Sequence, residues 1–368
     1  MRIAQISPLF EAVPPKLYGG IERMVHWLTE ELVAMGHDVT LFASGDSTTS
    51  ATLAPMCDQA LRPNPSVENW RAIYNHMVEL IYRRKDEFDV LHFHIEYFPL
   101  SLFSRQKVPF LTTLHSRLYL PELIERMELS VEEYGTFETA PFVSISNSQR
   151  RPIPNLNWAR TVLHGMPANL LTRQQVKPEY TAFLGRMAPE KGVDRAIRIA
   201  GKAGLKLKIA AKVDNADKDY YDTLIKPMIC DNPNVELIGE IDNTQKANFL
   251  SGAHAVIFPI DWGEPFGLVM IESMACGTPV IAFDRGSVPE VIDDGVTGFV
   301  VNDVDSAVAA LGKVHTLDRA LVRATFERRF SSRRMAEDYV DVYESLDQRV
   351  PRLSVPLFRS NMAKTGRR

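Results

Sequence analysis

Short apolar runs alternate along this chain with longer stretches whose apolar positions recur every three or four residues; the first pattern predicts strands and the second amphipathic helices. Arg2-Ile-Ala-Gln-Ile-Ser7 reads as a first strand, Ile21 to Met35 as a helix stopped by Gly36, and Asp38-Val-Thr-Leu-Phe-Ala43 as a second strand. Further strands are predicted at Asp89–Phe93, Pro109–Leu114 and Pro141–Ile145, with helices between them. After Pro152, Pro154, Pro167 and Pro178 the rhythm restarts. It gives a strand at Thr181–Gly185, a helix at Val193–Ala203, a strand at Leu205–Ala210, a helix around Tyr220 and strands at Val235–Ile238, Ala255–Ile260 and Thr278–Phe283. Such alternation implies parallel sheet covered on both faces, so the expected class is α/β with two Rossmann-like domains. Met166 to Tyr180 is polar, carries two prolines and breaks the rhythm, which makes it the expected linker and sets domains at 1–166 and 167–334.

Composition narrows the function. The 368 residues are too many for one ordinary core, and 45% hydrophobic with 24% charged residues describes a globular protein. A net charge of −4 argues against bulk nucleic-acid binding. Cys57, Cys230 and Cys276 lie far apart, with neither disulfide framework nor zinc spacing, as in a reducing compartment. No apolar run reaches the roughly 18 residues of a membrane span, and the opening segment is too short for a signal peptide, with Pro8 following it. A cytoplasmic location is expected. The basic tail from Val350 to Arg368 leaves peripheral contact with anionic lipid open.

The candidate chemistry sits at predicted strand ends. Glu264-Pro-Phe-Gly-Leu-Val-Met-Ile-Glu272 lies between two apolar runs, so Glu264 falls in a loop at the carboxyl end of a strand and a helix starts near Gly267. Free N–H groups for an anion beside carboxylates for hydroxyls suit a nucleotide-sugar. Phe183-Leu-Gly-Arg186-Met-Ala-Pro-Glu190-Lys191-Gly192 puts two cations, Arg186 and Lys191, in a loop at the ligand-binding edge of the second domain's first strand. It is not a Walker loop, since the glycine spacing is wrong and no Ser or Thr follows the Lys. Tyr18-Gly19-Gly20-Ile-Glu22 precedes the first long helix, where paired glycines let backbone approach a ligand. His115 ends a strand, as does Asn147 in Ser144-Ile-Ser-Asn-Ser148, which leaves Asn147 to face donor or acceptor. His92 and His94 share one strand face but have no evident third ligand. Asp217-Lys-Asp219 lies in a charged segment and Asp303-Val-Asp305 opens a helix, so neither D-x-D pair is expected to hold metal.

The text from Phe258 through Glu264 and Glu272 to Val280 resembles the glutamate-x7-glutamate signature of retaining GT-B glycosyltransferases of family 4, and the Arg186 to Gly192 stretch resembles their diphosphate loop. The resemblance implies two Rossmann-like domains facing each other across a cleft, with a closing helix, here about 335–368, that crosses back to the first. It implies hexosyl transfer from a UDP- or GDP-sugar to a saccharide, lipid-linked or small-molecule acceptor in glycan or polysaccharide biosynthesis, without metal or other cofactor. Arg186 and Lys191 would hold the diphosphate, Glu272 the ribose, and Glu264 with the Phe266, Gly267 and Leu268 amides the sugar. Gly19 and Gly20 would close over diphosphate and acceptor, and His115 would touch the sugar near its anomeric carbon. An epimerase of the same fold and a non-catalytic nucleotide-sugar binder are the alternatives. Base recognition is expected around Gly239-Glu-Ile241, and acceptor contacts in Ser47–Trp70 and Arg117–Tyr134.

Overall fold

The computed structural model describes residues 1–16, 19–62, 69–104, 107–118 and 140–347. Two wholly parallel sheets organise it. The first contains β1 (Arg2–Ile6), β2 (Asp38–Ser44), β3 (Thr52–Cys57), β4 (Val90–Phe93), β5 (Phe110–Thr113), β6 (Phe142–Ser144) and β7 (Trp158–Thr161) in the order β3-β2-β1-β4-β5-β6-β7. The second contains β8 (Tyr180–Arg186), β9 (Leu207–Lys212), β10 (Val235–Gly239), β11 (Ala253–Phe258), β12 (Val280–Phe283) and β13 (Gly298–Val301) in the order β10-β9-β8-β11-β12-β13. Strand order reverses between β1 and β4 and between β8 and β11. In open α/β sheets a ligand crevice forms at such a switch, beyond the carboxyl ends of the strands.

Local sequence explains the frame. Ile3, Ala4 and Ile6 of β1 are fully buried because helices cover both faces of the central strands. Helix α1 (Gly20–Ala34) turns Met24, Val25, Leu28 and Leu32 inward. It ends where Gly36, at φ +86°, lets the chain reverse and His37 N–H reach the Leu32 carbonyl at 3.1 Å. Three edge strands, β3, β7 and β13, were absent from the sequence expectation. Pro55 interrupts β3, and β7 is only half-buried and follows Pro152 and Pro154, so neither shows the apolar run of a central strand.

The remaining helices are α2 (Trp70–Arg84), α3 (Leu100–Phe103), α4 (Asn147–Arg150), α5 (Val193–Ala203), α6 (Asn243–Ser251), α7 (Leu268–Ala275), α8 (Val288–Val291), α9 (Val304–Leu311), α10 (Arg319–Arg329) and α11 (Ser332–Asp347), with a further helical stretch around Tyr220. Helix α11 returns to the first sheet. It begins at Ser332, three residues before the expected 335, and Ser332 Oγ donates to Glu31 of α1 at 2.6 Å. Tyr339 and Tyr343 are buried in the first domain, and burying such a ring stabilises the docked helix by roughly 2 kcal/mol. The tail from Val350 lies outside the described residues.

The chain crosses between the sheets twice, at one place. Met166 N–H donates to the Phe330 carbonyl and Ser332 N–H to the Met166 carbonyl, both at 2.9 Å. Gly165 is required there, since a Cβ would stand 2.2 Å from the Ser331 carbonyl oxygen.

Candidate active site

A cleft of about 830 Å³ opens between the two sheets at the β8/β11 switch point. Its second-domain wall starts at Arg186, the last residue of β8. A short turn, Pro189–Lys191, follows and ends at Gly192, whose φ of +77° and distance of 2.3 Å from a hypothetical Cβ to the Pro259 carbonyl leave no room for a side chain. Arg195 laces this loop to the end of β11, donating to the Pro259 carbonyl at 2.7 Å and the Pro189 carbonyl at 3.1 Å. Both cations are thus held on rigid backbone.

Each cation already meets carboxylate. Lys191 Nζ donates to Glu264 Oε2 at 2.6 Å and lies 4.6 Å over the Trp262 ring, while Trp262 Nε1 donates to the same oxygen at 2.9 Å. Arg186 pairs with Glu190 and, at 3.2 Å, with Asp217. Asp217 is therefore drawn inward, not left in a solvated segment as expected from its charged neighbours. Burial raises its pKa and the Arg186 charge opposes that rise. A diphosphate arriving here would exchange with these carboxylates for the same cations.

Helix α7 supplies the amide face. Gly267 sits before its first turn at φ +81°, and a Cβ there would stand 2.8 Å from Met270 Cε. Ser287 fixes the preceding loop from below, donating from N–H to the Glu264 carbonyl and from Oγ to the Phe266 carbonyl, both at 2.9 Å. Pro265, Phe266, Gly267 and Leu268 line the cleft with Glu264. Glu272 does not. It is buried one turn deeper and accepts from Lys246 Nζ of α6 at 2.7 Å. Gly239, at the end of β10, is likewise absent from the cleft lining, as is the Glu240 that follows it.

Across the cleft, Gly20 faces α7; a Cβ on it would come within 3.8 Å of Leu268 Cδ1. Gly19 has φ +136° and no space for a side chain beside Pro15, whereas Tyr18 lies outside the described residues. Glu22, in the first turn of α1, is buried, and its carboxyl is pushed up to about 7, chiefly by burial and then by nearby Glu11. His115 and His164 also line the cleft, with their rings stacked 5.4 Å apart, and His164 meets Phe266 edge-on at 5.0 Å. Burial holds His115 at about 3 and pushes His92, His94 and His164 well below the ordinary imidazole value, so all four are neutral. His164 was missed because it follows β7, a half-buried edge strand that the apolar pattern does not show, and no motif surrounds it.

Asn147 is placed elsewhere. Its N–H and that of Ser148 donate to the two Glu290 oxygens at 2.7 and 2.6 Å, clamping α4 of the first domain to α8 of the second. It faces a neighbouring groove with Arg150, Arg328 and Arg334 and not the cleft, so the expectation that it meets donor or acceptor is corrected. The expected acceptor segment Arg117–Tyr134 lies outside the described residues beyond Leu118, and residues 63–68 of Ser47–Trp70 do too.

Metal-ligand geometry is absent among the described residues, where no group of three His, Cys, Asp or Glu side chains converges on one point. Asp303 instead caps α9 in a reciprocal bond with Ser306, and Asp305 pairs with Lys202 at 2.7 Å. Among the described residues no helix is long and apolar enough to cross a membrane.

Both halves of the chain match known families. Residues 18–162 match the family described as Glycosyltransferase Family 4, and residues 172–322 the one described as Glycosyl transferases group 1. Glycogen synthase of Mycobacterium tuberculosis is 26% identical over 363 residues, covering 85% of this chain and 86% of that protein. The crystal structure of AviGT4, a glycosyltransferase involved in avilamycin A biosynthesis, superposes with a TM-score of 0.74 at 22% identity, covering 94% of this chain and 98% of that one. HepE of Anabaena in complex with UDP and glucose superposes with a TM-score of 0.68 at 17% identity, covering 94% and 99%.

Proposed function

This chain belongs to the group 1, family 4 glycosyltransferases of GT-B fold, and from that premise we propose that it moves a hexosyl group from a UDP- or GDP-sugar to a saccharide, lipid-linked or small-molecule acceptor with retention of configuration. Lys191 paired with Glu264 at 2.6 Å, opposite Gly20 and His115 in one cleft, is the observation that carries this reading. HepE, with the same fold, binds UDP and glucose.

In the proposed reaction the diphosphate lies against Arg186, Lys191 and the amides at the start of α7. The acceptor oxygen attacks the anomeric carbon on the face from which the diphosphate departs. The bond from that carbon to the phosphate oxygen breaks, and the acceptor proton passes to the departing phosphate oxygen. Arg186 and Lys191 stabilise the charge growing on the leaving group, the term that ordinarily dominates such catalysis. Glu264 is already engaged by Lys191 and Trp262, which suits a carboxylate that holds sugar hydroxyls better than one poised as a nucleophile. Rotation of the two domains toward each other would exclude water and limit donor hydrolysis. Glycan or polysaccharide assembly in the cytoplasm is the proposed setting.

The test is a thermal shift with UDP, GDP and ADP, followed by a donor panel with and without cell extract. A bound nucleotide at about 100 times its Kd stabilises by about 2.7 kcal/mol. Proton NMR of the transfer product must show the anomeric configuration of the donor. An altered sugar still attached to nucleotide would instead identify an epimerase, and binding without turnover a nucleotide-sugar binder.

A further inference from the structure

A string of buried polar groups joins the returning helix α11 to the cleft. Gln5 Nε2 donates to Tyr343 Oη at 3.0 Å, Gln5 Oε1 stands 2.9 Å from His94 Nε2, and His94 Nδ1 stands 3.0 Å from His115 Nε2. Gln5, His94 and Tyr343 are at most 2% exposed, so water cannot supply a missing partner and every proton must be placed within the string.

The protons then follow in order. Gln5 Oε1 can only accept, so His94 carries its hydrogen on Nε2. A neutral imidazole has one N–H, which leaves His94 Nδ1 a lone pair that must accept the N–H of His115 Nε2. His115, neutral as well, is left with a bare Nδ1, and that atom has no hydrogen-bond partner among the described residues. A side branch takes its polarity from the same Gln5 amide orientation. Tyr343 Oη donates to His92 Nδ1 at 2.8 Å, and His92 Nε2 donates to Thr113 Oγ1 at 2.7 Å, which is bonded in turn to Tyr339 Oη at 3.0 Å.

We propose that Tyr343, Gln5 and His94 are positioning residues that hold His115 as the tautomer protonated on Nε2, leaving Nδ1 to accept a hydrogen bond from a sugar hydroxyl. The identity of that hydroxyl rests on the transfer reading above; the tautomer does not. The consequence is that a helix arriving after the second domain decides which nitrogen of a cleft histidine is basic.

Selective 15N-histidine labelling of the full chain reads the tautomer directly, with His115→Gln assigning the resonances. A pyrrole-type Nε2 and a pyridine-type Nδ1 are expected for His115. In Gln5→Leu, similar in size, the only acceptor for His94 Nε2 among the described residues is gone, and the His115 proton is expected to populate Nδ1. Tyr343→Phe should move it in the same direction and carries the test if Gln5→Leu does not fold. With whichever nucleotide-sugar supports turnover, both variants should lower kcat about tenfold, the scale of one neutral hydrogen bond, at unchanged donor KM. A pyrrole-type Nδ1 in the unmodified chain would mean that the Gln5 amide sits the other way round, and it overturns the proposal. So do variant spectra identical to the parent. The expected tautomer in a chain that turns over no nucleotide-sugar upholds the proposal and sinks the transfer reading instead.

Discussion

Lys191 and Glu264 stand 2.6 Å apart, one at the end of the turn after β8 and the other in the loop before α7, so each neutralises the other across the floor of the cleft. A partly buried cation and a buried carboxylate are thus kept in place without either being stranded. The arrangement separates the ligand's effects into several measurable parts.

Removing the cations should cost rate and not fold. Lys191→Ala and Arg186→Ala are each expected to lower turnover on the order of 10²-fold or more, because a departing diphosphate loses a preorganised positive charge. Both variants should still fold, since neither side chain fills the core, although Lys191→Ala leaves the buried Glu264 carboxylate without its counter-ion and should melt somewhat lower. Near-parent turnover in both variants, measured beside their melting curves, would assign the loop to structure alone.

The two glutamates should fail in different ways. Glu264→Gln keeps an acceptor for Trp262 but alters the group nearest the proposed sugar and removes the charge that a diphosphate must displace from Lys191, so kcat should drop while calorimetry shows nucleoside-diphosphate affinity no weaker than the parent's. Glu272→Gln leaves Lys246 without its counter-ion in a buried site, and a charged hydrogen bond of this kind contributes about 2 kcal/mol. Its urea midpoint should fall. Lys246→Met should weaken stability alike, and the double variant should lose less than the sum of the two singles. Strict additivity would mean that the pair is not energetically coupled.

Chelation is expected to leave transfer intact. Asp217 is engaged by Arg186, Asp303 by Ser306 and Asp305 by Lys202, so at least one carboxylate of each D-x-D pair is already partnered. Assays in EDTA, then with added Mg²⁺ or Mn²⁺, decide the matter; activity that vanishes and returns with metal would reopen both pairs.

Glu22 makes stability depend on pH. Its folded pKa of about 7 lies above the ordinary glutamate value of 4.5, so between these values the folded chain binds a proton that the unfolded chain has released. The contribution is therefore fully present below about pH 4.5 and lost as pH rises through 7, with a total of about 3 kcal/mol. Glu22→Gln should flatten this part of the profile and melt higher than the parent at pH 8. Parallel urea titrations at pH 5 and pH 8 measure the difference; identical pH slopes in parent and variant would show that Glu22 titrates normally.

The chain's pattern revealed central elements more readily than edges and contacts more poorly than either. Strands β1, β8 and β11 are buried on both faces and so appear as plain apolar runs, and the Arg186 and Glu264 loops follow from where those runs end. Edge strands β3 and β7 face water on one side and contain or follow prolines, which erases the signal. Lys246 for Glu272 and Gln5 for His94 are joined only by the fold, across 26 and 89 residues, and no spacing rule links them. Asn147 misled because position at a strand end was legible while the side chain's direction was not.

The paired crossing at Met166 and Phe330–Ser332 limits how this molecule can move. Two chain passages bonded side by side, with Gly165 pressed against Ser331, resist sliding of one sheet past the other but leave rotation about their common line. The halves are therefore hung as leaves on one pin, and Glu290, reaching the Asn147 and Ser148 amides, is one tie between them away from that pin. Swinging the leaves farther apart means releasing one carboxylate from two peptide N–H groups, and that work sets part of the effort of widening the cleft.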